Sequence, residues 1–218
     1  MELNRYIDHT LLKADANEAD IKTLCEEAIQ YEFKSVCINP TWVEVCTNIL
    51  KDSEVLVCTV IGFPLGANHT DIKVFEAKKA VADGADEIDM VINIGWVKNQ
   101  WFDKVRREID LILDAIPDNI IVKVIIETAL LTEEEIRKVS QIVKESKADF
   151  VKTSTGFSTR GASLNDIKII KEIIGNSKLI KASGGIRNFD ETIQMIRLGS
   201  DRIGASRGID IMEESKNR

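Results

Sequence analysis

The feature that most constrains the fold of this 218-residue chain is a regular alternation of short apolar runs with amphipathic segments. Short runs rich in β-branched residues predict strands, at residues 6–9, 35–38, 55–62, 87–92, 120–126, 150–153, 179–182 and 202–205. Segments with apolar residues at three- and four-residue spacings predict helices between them, at residues 18–31, 71–82, 101–116, 132–147, 164–174 and 190–198. This order is typical of an α/β protein with a parallel sheet.

The number of these units favours a (β/α)8 TIM barrel. The run at residues 55–62 is apolar on both faces, as in a parallel sheet covered by helices. No linker rich in Pro, Gly or Ser divides the chain, so we expect residues 1–218 to form one domain. A doubly wound open sheet is the alternative, but neither nucleotide-binding glycine signature of such sheets occurs.

The charge balance argues against polyanionic partners. The chain has 29 Lys and Arg against 36 Asp and Glu, a formal net charge of -7. This excess of negative charge opposes attraction to nucleic acid or to an anionic membrane surface. The N-terminal residues lack the apolar run of a signal peptide, and no stretch of 18 apolar residues occurs. We therefore expect a cytoplasmic protein with neither nucleic acid nor membrane as a partner.

Metal and redox chemistry have little support in the sequence. The four cysteines, Cys25, Cys37, Cys46 and Cys58, form no C-x-x-C pair and stand in apolar contexts. The two histidines are far apart in sequence and have no metal-ligand spacing. We interpret the cysteines as reduced core thiols and predict no metal site.

Charged residues inside apolar strands are the main indication of chemistry. Lysines stand in three successive predicted strands as Lys123, Lys152 and Lys181, and Asp89 stands in the strand before them. An unpaired ammonium buried in such a sheet costs several kcal/mol. These charges must therefore compensate one another, or some of the groups must be neutral.

Two interpretations of the lysines are open at this point. They could reach the rim and be solvated, or form structural ion pairs with Asp89 and Glu127. Alternatively, a barrel brings the C-terminal ends of these strands to one mouth, where active sites of this fold lie. A desolvated lysine beside a second cation loses its proton near neutral pH and can attack a carbonyl. Two lysines on adjacent strands therefore favour Schiff-base chemistry.

Glycine-containing segments follow the last three predicted strands, at residues 153–158, 183–185 and 204–208. Glycine allows the backbone to approach a ligand closely, and N–H groups at a helix N-terminus favour an anion. The loops after the seventh and eighth barrel strands commonly hold a phosphate. Ordinary βα turns would explain any one of these segments, whereas three around one rim favour a phosphate site.

Five segments resemble those of the deoxyribose-phosphate aldolase family. They are YIDHTLL at residues 6–12, GADEIDMV at 84–91, KVIIET at 123–128, VKTSTGF at 151–157 and KASGGIR at 181–187. The similarity runs from about residue 6 to about residue 208. It implies a class I aldolase without a metal or other cofactor, which cleaves 2-deoxy-D-ribose 5-phosphate reversibly to D-glyceraldehyde 3-phosphate and acetaldehyde in deoxyribonucleotide catabolism.

The resemblance also implies roles for individual residues. Lys152 would be the Schiff-base lysine, Lys181 the neighbouring cation that lowers its pKa, and Asp89 a proton donor and acceptor. These are three of the positions that the charge pattern singled out. The positions that match substrate- or phosphate-binding residues are Asp8, Thr10, Thr155, Gly156, Gly184, Gly185 and Ser206.

The last loop departs from the family pattern. Many members have two serines where this chain has Ser206 and Arg207, so a guanidinium replaces one hydroxyl donor. We predict that Arg207 is an added phosphate clamp, and a solvated surface residue is the alternative.

Two other functions are alternatives to the aldolase hypothesis. Another Schiff-base barrel enzyme would share the lysine and phosphate chemistry. A noncatalytic sugar-phosphate-binding barrel would keep the glycine loops but would need no neutral lysine. Exposed apolar edges are compatible with a homodimer, although the sequence locates no interface.

Overall fold

The predicted strands form a closed parallel barrel in the computed structural model, which describes residues 2–217. The barrel order follows the chain order, and β8 closes the barrel by pairing with β1. The strands are β1 Ile7–Leu11, β2 Ser35–Ile38, β3 Leu56–Ile61, β4 Glu87–Val91, β5 Ile121–Ile125, β6 Phe150–Lys152, β7 Leu179–Ser183 and β8 Arg202–Ala205. The (β/α)8 prediction is confirmed, and the open sheet is excluded.

Helices separate the strands and cover the barrel. They are α1 Glu18–Gln30, α2 Val43–Leu50, α3 Thr70–Ala82, α4 Ile94–Lys98, α5 Phe102–Leu113, α6 Glu133–Glu145, α7 Leu164–Ile174, α8 Phe189–Arg197 and α9 Gly208–Lys216. Short 3-10 turns lie at Leu3–Tyr6, Pro40–Trp42 and Thr128–Leu130. Among residues 2–217, no helix has the length and apolar character that crossing a membrane requires. The extent of one domain over residues 1–218 stays a prediction, and residues 1 and 218 lie outside the described residues.

Helix starts follow local capping chemistry. The side chain of Thr132 accepts a hydrogen bond from the backbone N–H of Glu135, and the Glu135 side chain accepts one from the N–H of Thr132. This reciprocal pair is a capping box, which typically has Ser or Thr followed three residues later by Glu or Gln. Ser163 and Asp166 make the same reciprocal pair at the start of α7. These caps fix where each helix begins, and hence how long the preceding loop at the barrel mouth is.

Strand register places charged side chains at neighbouring positions inside the barrel. Asp89 of β4 pairs with Lys123 of β5. Lys152 of β6 pairs with Lys181 of β7, which pairs with Arg202 of β8. Partners in a parallel ladder point to the same face of the sheet, so these side chains share the barrel interior.

A second buried ion pair lies in the helical layer outside the barrel. Lys73 of α3 and Glu108 of α5 are fully buried, and the Lys73 Nζ lies 2.8 Å from Glu108 Oε1. The same Nζ donates to the carbonyl of Val91, the last residue of β4, at 2.8 Å. Burial lowers the pKa of Lys73 and raises that of Glu108, although each charge opposes these shifts. The pair ties two helices to the strand that carries Asp89.

Removing one member of this pair should destabilise the fold strongly. Lys73→Met leaves Glu108 buried without its cation, so we expect the free energy of unfolding to fall by about 3–5 kcal/mol. Urea denaturation measures this change. Lys22→Met is the matched control because the pair of Lys22 and Glu26 is exposed, and there the loss should stay below about 1 kcal/mol. Equal losses in the two variants would contradict a stabilising role for the buried pair.

Candidate active site

Seven buried charged residues form one cluster in the barrel interior, named here the ionic cluster. They are Asp8, Glu87, Asp89, Lys123, Lys152, Lys181 and Arg202. An unpaired buried charge is expensive, so such side chains must be mutually compensated. The ion pairs within the cluster show this compensation. The interpretation of the lysines as solvated rim residues is therefore wrong.

Asp89 is the centre of the ionic cluster. Its Oδ2 accepts hydrogen bonds from Lys152 Nζ at 2.7 Å and Lys181 Nζ at 2.6 Å. Its Oδ1 accepts one from Lys123 Nζ at 2.9 Å. Burial alone would raise the pKa of Asp89, but the three ammonium groups outweigh burial and hold it well below its ordinary value. Asp89 is therefore a carboxylate.

Lys181 lies between two carboxylates. Its Nζ lies 2.6 Å from Asp8 Oδ2 and 2.6 Å from Asp89 Oδ2. Burial opposes its charge, but the two carboxylates outweigh burial and raise the pKa of Lys181 well above its ordinary value. Lys181 is therefore a fixed cation beside Lys152, as the sequence pattern requires of the second lysine.

Lys152 differs from the other cations of the cluster. Its Nζ has one carboxylate partner, Asp89, and shares the Oδ2 atom of that carboxylate with Lys181. Lys152 is the last residue of β6, so it reaches the C-terminal mouth of the barrel. Of the seven cluster residues, it alone lines the cavity that opens there. Lys152 is the least compensated amine and the one that a ligand can reach.

This cavity has a volume of about 290 Å³ and lies over the C-terminal ends of β1, β6, β7 and β8. Thr10, Thr155, Gly184 and Ser206 are among its lining residues. A larger depression of about 590 Å³ adjoins it beside α1 and shares Thr10, Ser206 and Arg207 with it. No cluster residue lines that depression, so the ionic cluster is accessible from the smaller cavity and not from the larger one.

The glycine loops come together at this mouth. Gly184 has φ +80°, and a Cβ there would lie 3.0 Å from the Gly161 Cα and 3.2 Å from the Gly156 Cα. Gly185 has φ +78°. Only glycine combines this left-handed backbone with so close an approach of two loops. Three glycines named by the sequence, Gly156, Gly184 and Gly185, line the cavity.

The last loop leads into α9. Ser206 and Arg207 are exposed and line the cavity, and α9 begins at Gly208. The Arg207 side chain is 60% exposed, and its Nη1 lies 3.5 Å from Asp210 Oδ2. The N-terminus of α9 therefore lies at the mouth, and the N–H groups and dipole at a helix N-terminus favour an anion.

Thr10 and Asp8, which the family resemblance assigns to substrate binding, differ in their access to the cavity. Thr10 lines the cavity, and its hydroxyl donates to the Asp8 carbonyl at 2.8 Å. Asp8 is fully buried below the cavity and contacts Lys181 and Arg202 instead. In this structure Asp8 acts on the site through the ionic cluster.

Thr155 uses both of its donors within the protein. Its hydroxyl and its backbone N–H donate to the carboxylate of Glu127, and its Oγ1 accepts from the Phe157 N–H at 3.1 Å. Glu127 follows β5 with φ +51° and is buried, which raises its pKa. Thr155 therefore fixes the shape of the loop that carries Gly156.

Sequence reasoning missed three charged residues of this region, Glu87, Arg202 and Glu127, as parts of the site. Arg202 and Glu87 are the first residues of β8 and β4. A charge at the start of a strand is usually solvated, so their positions gave no signal. Register would have found Arg202, because it pairs with Lys181.

Two of the four cysteines lie beside the ionic cluster. All four are buried, as predicted. The sulfurs of Cys37 and Cys58 and one oxygen of Asp89 lie within 4.8 Å of one another, a spacing that a metal ion can use. The amino groups of three lysines already contact that carboxylate, however, and their positive charge opposes a cation there. The donor set does not suit a metal ion.

Comparison with known proteins decides the family. Residues 3–213 match the family model described as DeoC/LacD family aldolase. The chain belongs to this aldolase family. It is 56% identical over 213 residues to a deoxyribose-phosphate aldolase of Finegoldia magna, covering 98% of this chain and 100% of that protein. It is 55% identical to one of Staphylococcus carnosus, covering 98% of this chain and 96% of that protein.

Solved structures agree with the family assignment. A structure described as QR15, an aldolase, superposes on this chain with a TM-score of 0.95 at 43% sequence identity. The match covers 99% of this chain and 96% of the chain in that structure. The predicted family is thereby confirmed, and with it an enzyme of the lyase class. This result argues against the noncatalytic binding barrel.

The ion pairs around Asp89 predict that aldolase activity is independent of metal ions. We expect dialysis against EDTA to leave the rate of aldol cleavage unchanged, because lysine amino groups occupy the carboxylate that a metal would need. A coupled assay of aldehyde release measures this rate. Complete loss of activity that a divalent ion restores would contradict the prediction.

Proposed function

We propose that the chain is a class I aldolase that cleaves 2-deoxy-D-ribose 5-phosphate reversibly to D-glyceraldehyde 3-phosphate and acetaldehyde. The supporting observation is the position of Lys152, the one amine of the ionic cluster that lines the cavity and the one with a single carboxylate partner. Both named relatives are deoxyribose-phosphate aldolases. Such a reaction would serve the breakdown of deoxyribonucleotides.

In this proposal the neutral amine of Lys152 attacks the aldehyde carbon of the open-chain sugar phosphate. The carbinolamine loses water and becomes an iminium ion. The C3 hydroxyl then loses its proton, the bond between C2 and C3 breaks, and its electron pair moves into an enamine. Glyceraldehyde 3-phosphate leaves, C2 takes up a proton, and water hydrolyses the resulting iminium to release acetaldehyde and Lys152.

Asp89 and Lys181 are positioned to serve the proton transfers and charge changes of these steps. Lys181 stays charged, so it disfavours a second ammonium at Lys152 and helps to keep that amine neutral for attack. The Asp89 carboxylate contacts both amines, at 2.7 Å and 2.6 Å. It can stabilise the iminium charge and accept a proton from the Lys152 amine, which it contacts directly.

The phosphate would bind at the end of the cavity formed by the glycine loops. Backbone N–H groups of Gly184 and Gly185 and the N-terminus of α9 offer donors there. Ser206 adds an exposed hydroxyl at the same rim. Asp8 supports the site from below, and Thr10 lines it. The homodimer stays a prediction.

The proposal is tested by trapping the imine. Reduction with borohydride in the presence of acetaldehyde should modify a peptide that contains Lys152, and mass spectrometry locates the added ethyl group. Lys152→Ala should abolish the adduct, whereas Lys178→Ala, at a half-buried lysine outside the ionic cluster, should leave it unchanged. An adduct on Lys181 or Lys123, or no adduct at all, would overturn the assignment.

The phosphate clamp predicted at Arg207 is testable with the same substrate. A charge-assisted hydrogen bond is worth about 1.5–3 kcal/mol, but the guanidinium is 60% exposed and therefore screened. We expect Arg207→Ser to raise the KM for 2-deoxy-D-ribose 5-phosphate about 3- to 10-fold.

Unphosphorylated deoxyribose is the control substrate, and its KM should not change. Arg197→Ser is the control variant, because Arg197 is exposed at the end of α8 and does not line the cavity. Equal KM values for the phosphorylated sugar in wild type and Arg207→Ser would leave Arg207 as a surface residue.

A further inference from the structure

Arg202 is a buried cation that does not line the cavity at the mouth of the barrel. It is the first residue of β8, whereas the cavity lies over the other ends of the strands. Its Nε donates to Asp8 Oδ1 at 2.6 Å. Its Nη1 and Nη2 donate to the two carboxylate oxygens of Glu87 at 3.0 and 2.9 Å, and Nη2 also donates to Ser35 Oγ at 3.1 Å. Arg202 does not line the cavity and is out of reach of a substrate.

The ionic cluster is unbalanced when all of its members are ionised. Four cationic side chains face three carboxylates, so one positive charge is in excess. Excess charge is costly in a buried region of low dielectric constant. The cluster therefore favours the loss of one proton.

The contacts indicate which group loses that proton. A guanidinium does not deprotonate in proteins, so Arg202 keeps its charge. Lys123 lies 2.5 Å from Glu87 and 2.9 Å from Asp89. Lys181 likewise has two carboxylate partners. Lys152 has one, which it shares with Lys181, so it is the lysine with the fewest carboxylate contacts.

We propose that Arg202 is a positioning residue for the reaction. Its permanent charge leaves the fully ionised cluster with one excess positive charge, and Lys152 is the group that releases a proton to remove this excess. Arg202 also holds Asp8 and Glu87 where they keep Lys181 and Lys123 charged. The inference rests on the proposed function, because a neutral amine at Lys152 matters only if that amine attacks a carbonyl.

Other titratable groups lie near Lys152. From β2, a hydrogen bond with Cys58 lowers the pKa of Cys37 to about 7, so a thiolate there is a second way to neutralise the excess charge. From β3, burial raises the pKa of Cys58 itself. Beyond β5, burial raises the pKa of Glu127, whose carboxyl group is engaged by Thr155. Cys37 is therefore the competitor that the experiment must include.

The test is the pH dependence of imine formation with acetaldehyde, sampled by rapid quenching with borohydride in the full-length enzyme. In Arg202→Met the remaining charges balance, so Lys152 keeps its proton to higher pH. We expect the acidic limb of the profile to move upward by about one pH unit or more. Arg202→Lys retains the charge and should restore the wild-type limb. A merely structural role for Arg202 would lower the rate at every pH without moving the limb.

The same substitution is also tested in the Glu87→Gln variant, in case the single variant Arg202→Met does not fold. In Glu87→Gln the excess charge grows, and the limb should not move upward. The double variant Glu87→Gln, Arg202→Met lacks both the Arg202 cation and the Glu87 carboxylate that it pairs with. Neither substitution then leaves the other member of this pair buried and unpaired. The limb of the double variant should lie above that of Glu87→Gln by about the same shift and close to wild type. This comparison does not require the single variant Arg202→Met to fold.

The outcomes separate this inference from the proposed function. Without an adduct on Lys152 in the wild type, the proposed function fails. A wild-type adduct combined with an unmoved limb in both backgrounds overturns the role of Arg202 alone. Cys37→Ala should leave the limb in place, and a shift there as large as that of Arg202→Met would assign the balancing charge to the thiol instead.

Discussion

One carboxylate, that of Asp89, holds the interior of this barrel together. The amino groups of three lysines from three consecutive strands converge on its two oxygens. Each of these strands would be destabilised by its lysine if that lysine had no partner, because an isolated buried charge costs several kcal/mol. The contacts at Asp89 therefore allow apolar strands to carry lysines in a closed barrel. They also bring the amines within reach of a common proton acceptor.

The cluster is graded from the bottom of the barrel to its mouth. At the strand starts, Arg202 and Glu87 form a doubly hydrogen-bonded pair that fixes geometry and charge. In the middle, Lys181 is compensated on two sides. At the mouth, Lys152 has a single shared partner and contacts the cavity. Compensation thus decreases toward the position where a substrate can enter, and this gradient distinguishes the reactive amine from its neighbours.

Sequence alone predicts the barrel because alternation along the chain is a local pattern. The bounds of all eight predicted strands agree with the structure within a few residues. The helix Val43–Leu50 is not predicted, since its β-branched residues also suit a strand. Charge in a strand identifies Asp89 and Lys152, but pairing partners such as Arg202 depend on register and closure. The placement of Asp8 below the cavity likewise requires side-chain directions that no linear pattern contains.

The short strand β6 has a consequence for how the protein tolerates change. Lys152 is its last residue, and the carbonyl of Lys152 accepts from the Ile126 N–H while the next N–H, of Thr153, donates to Lys181. The backbone that carries the amine is thus fixed on both sides, and the loop starts immediately afterwards. Mutations in that loop can reshape the rim while the amine stays in register. A laboratory search for new aldehyde acceptors should therefore begin with the exposed loop positions just past Lys152, such as Phe157.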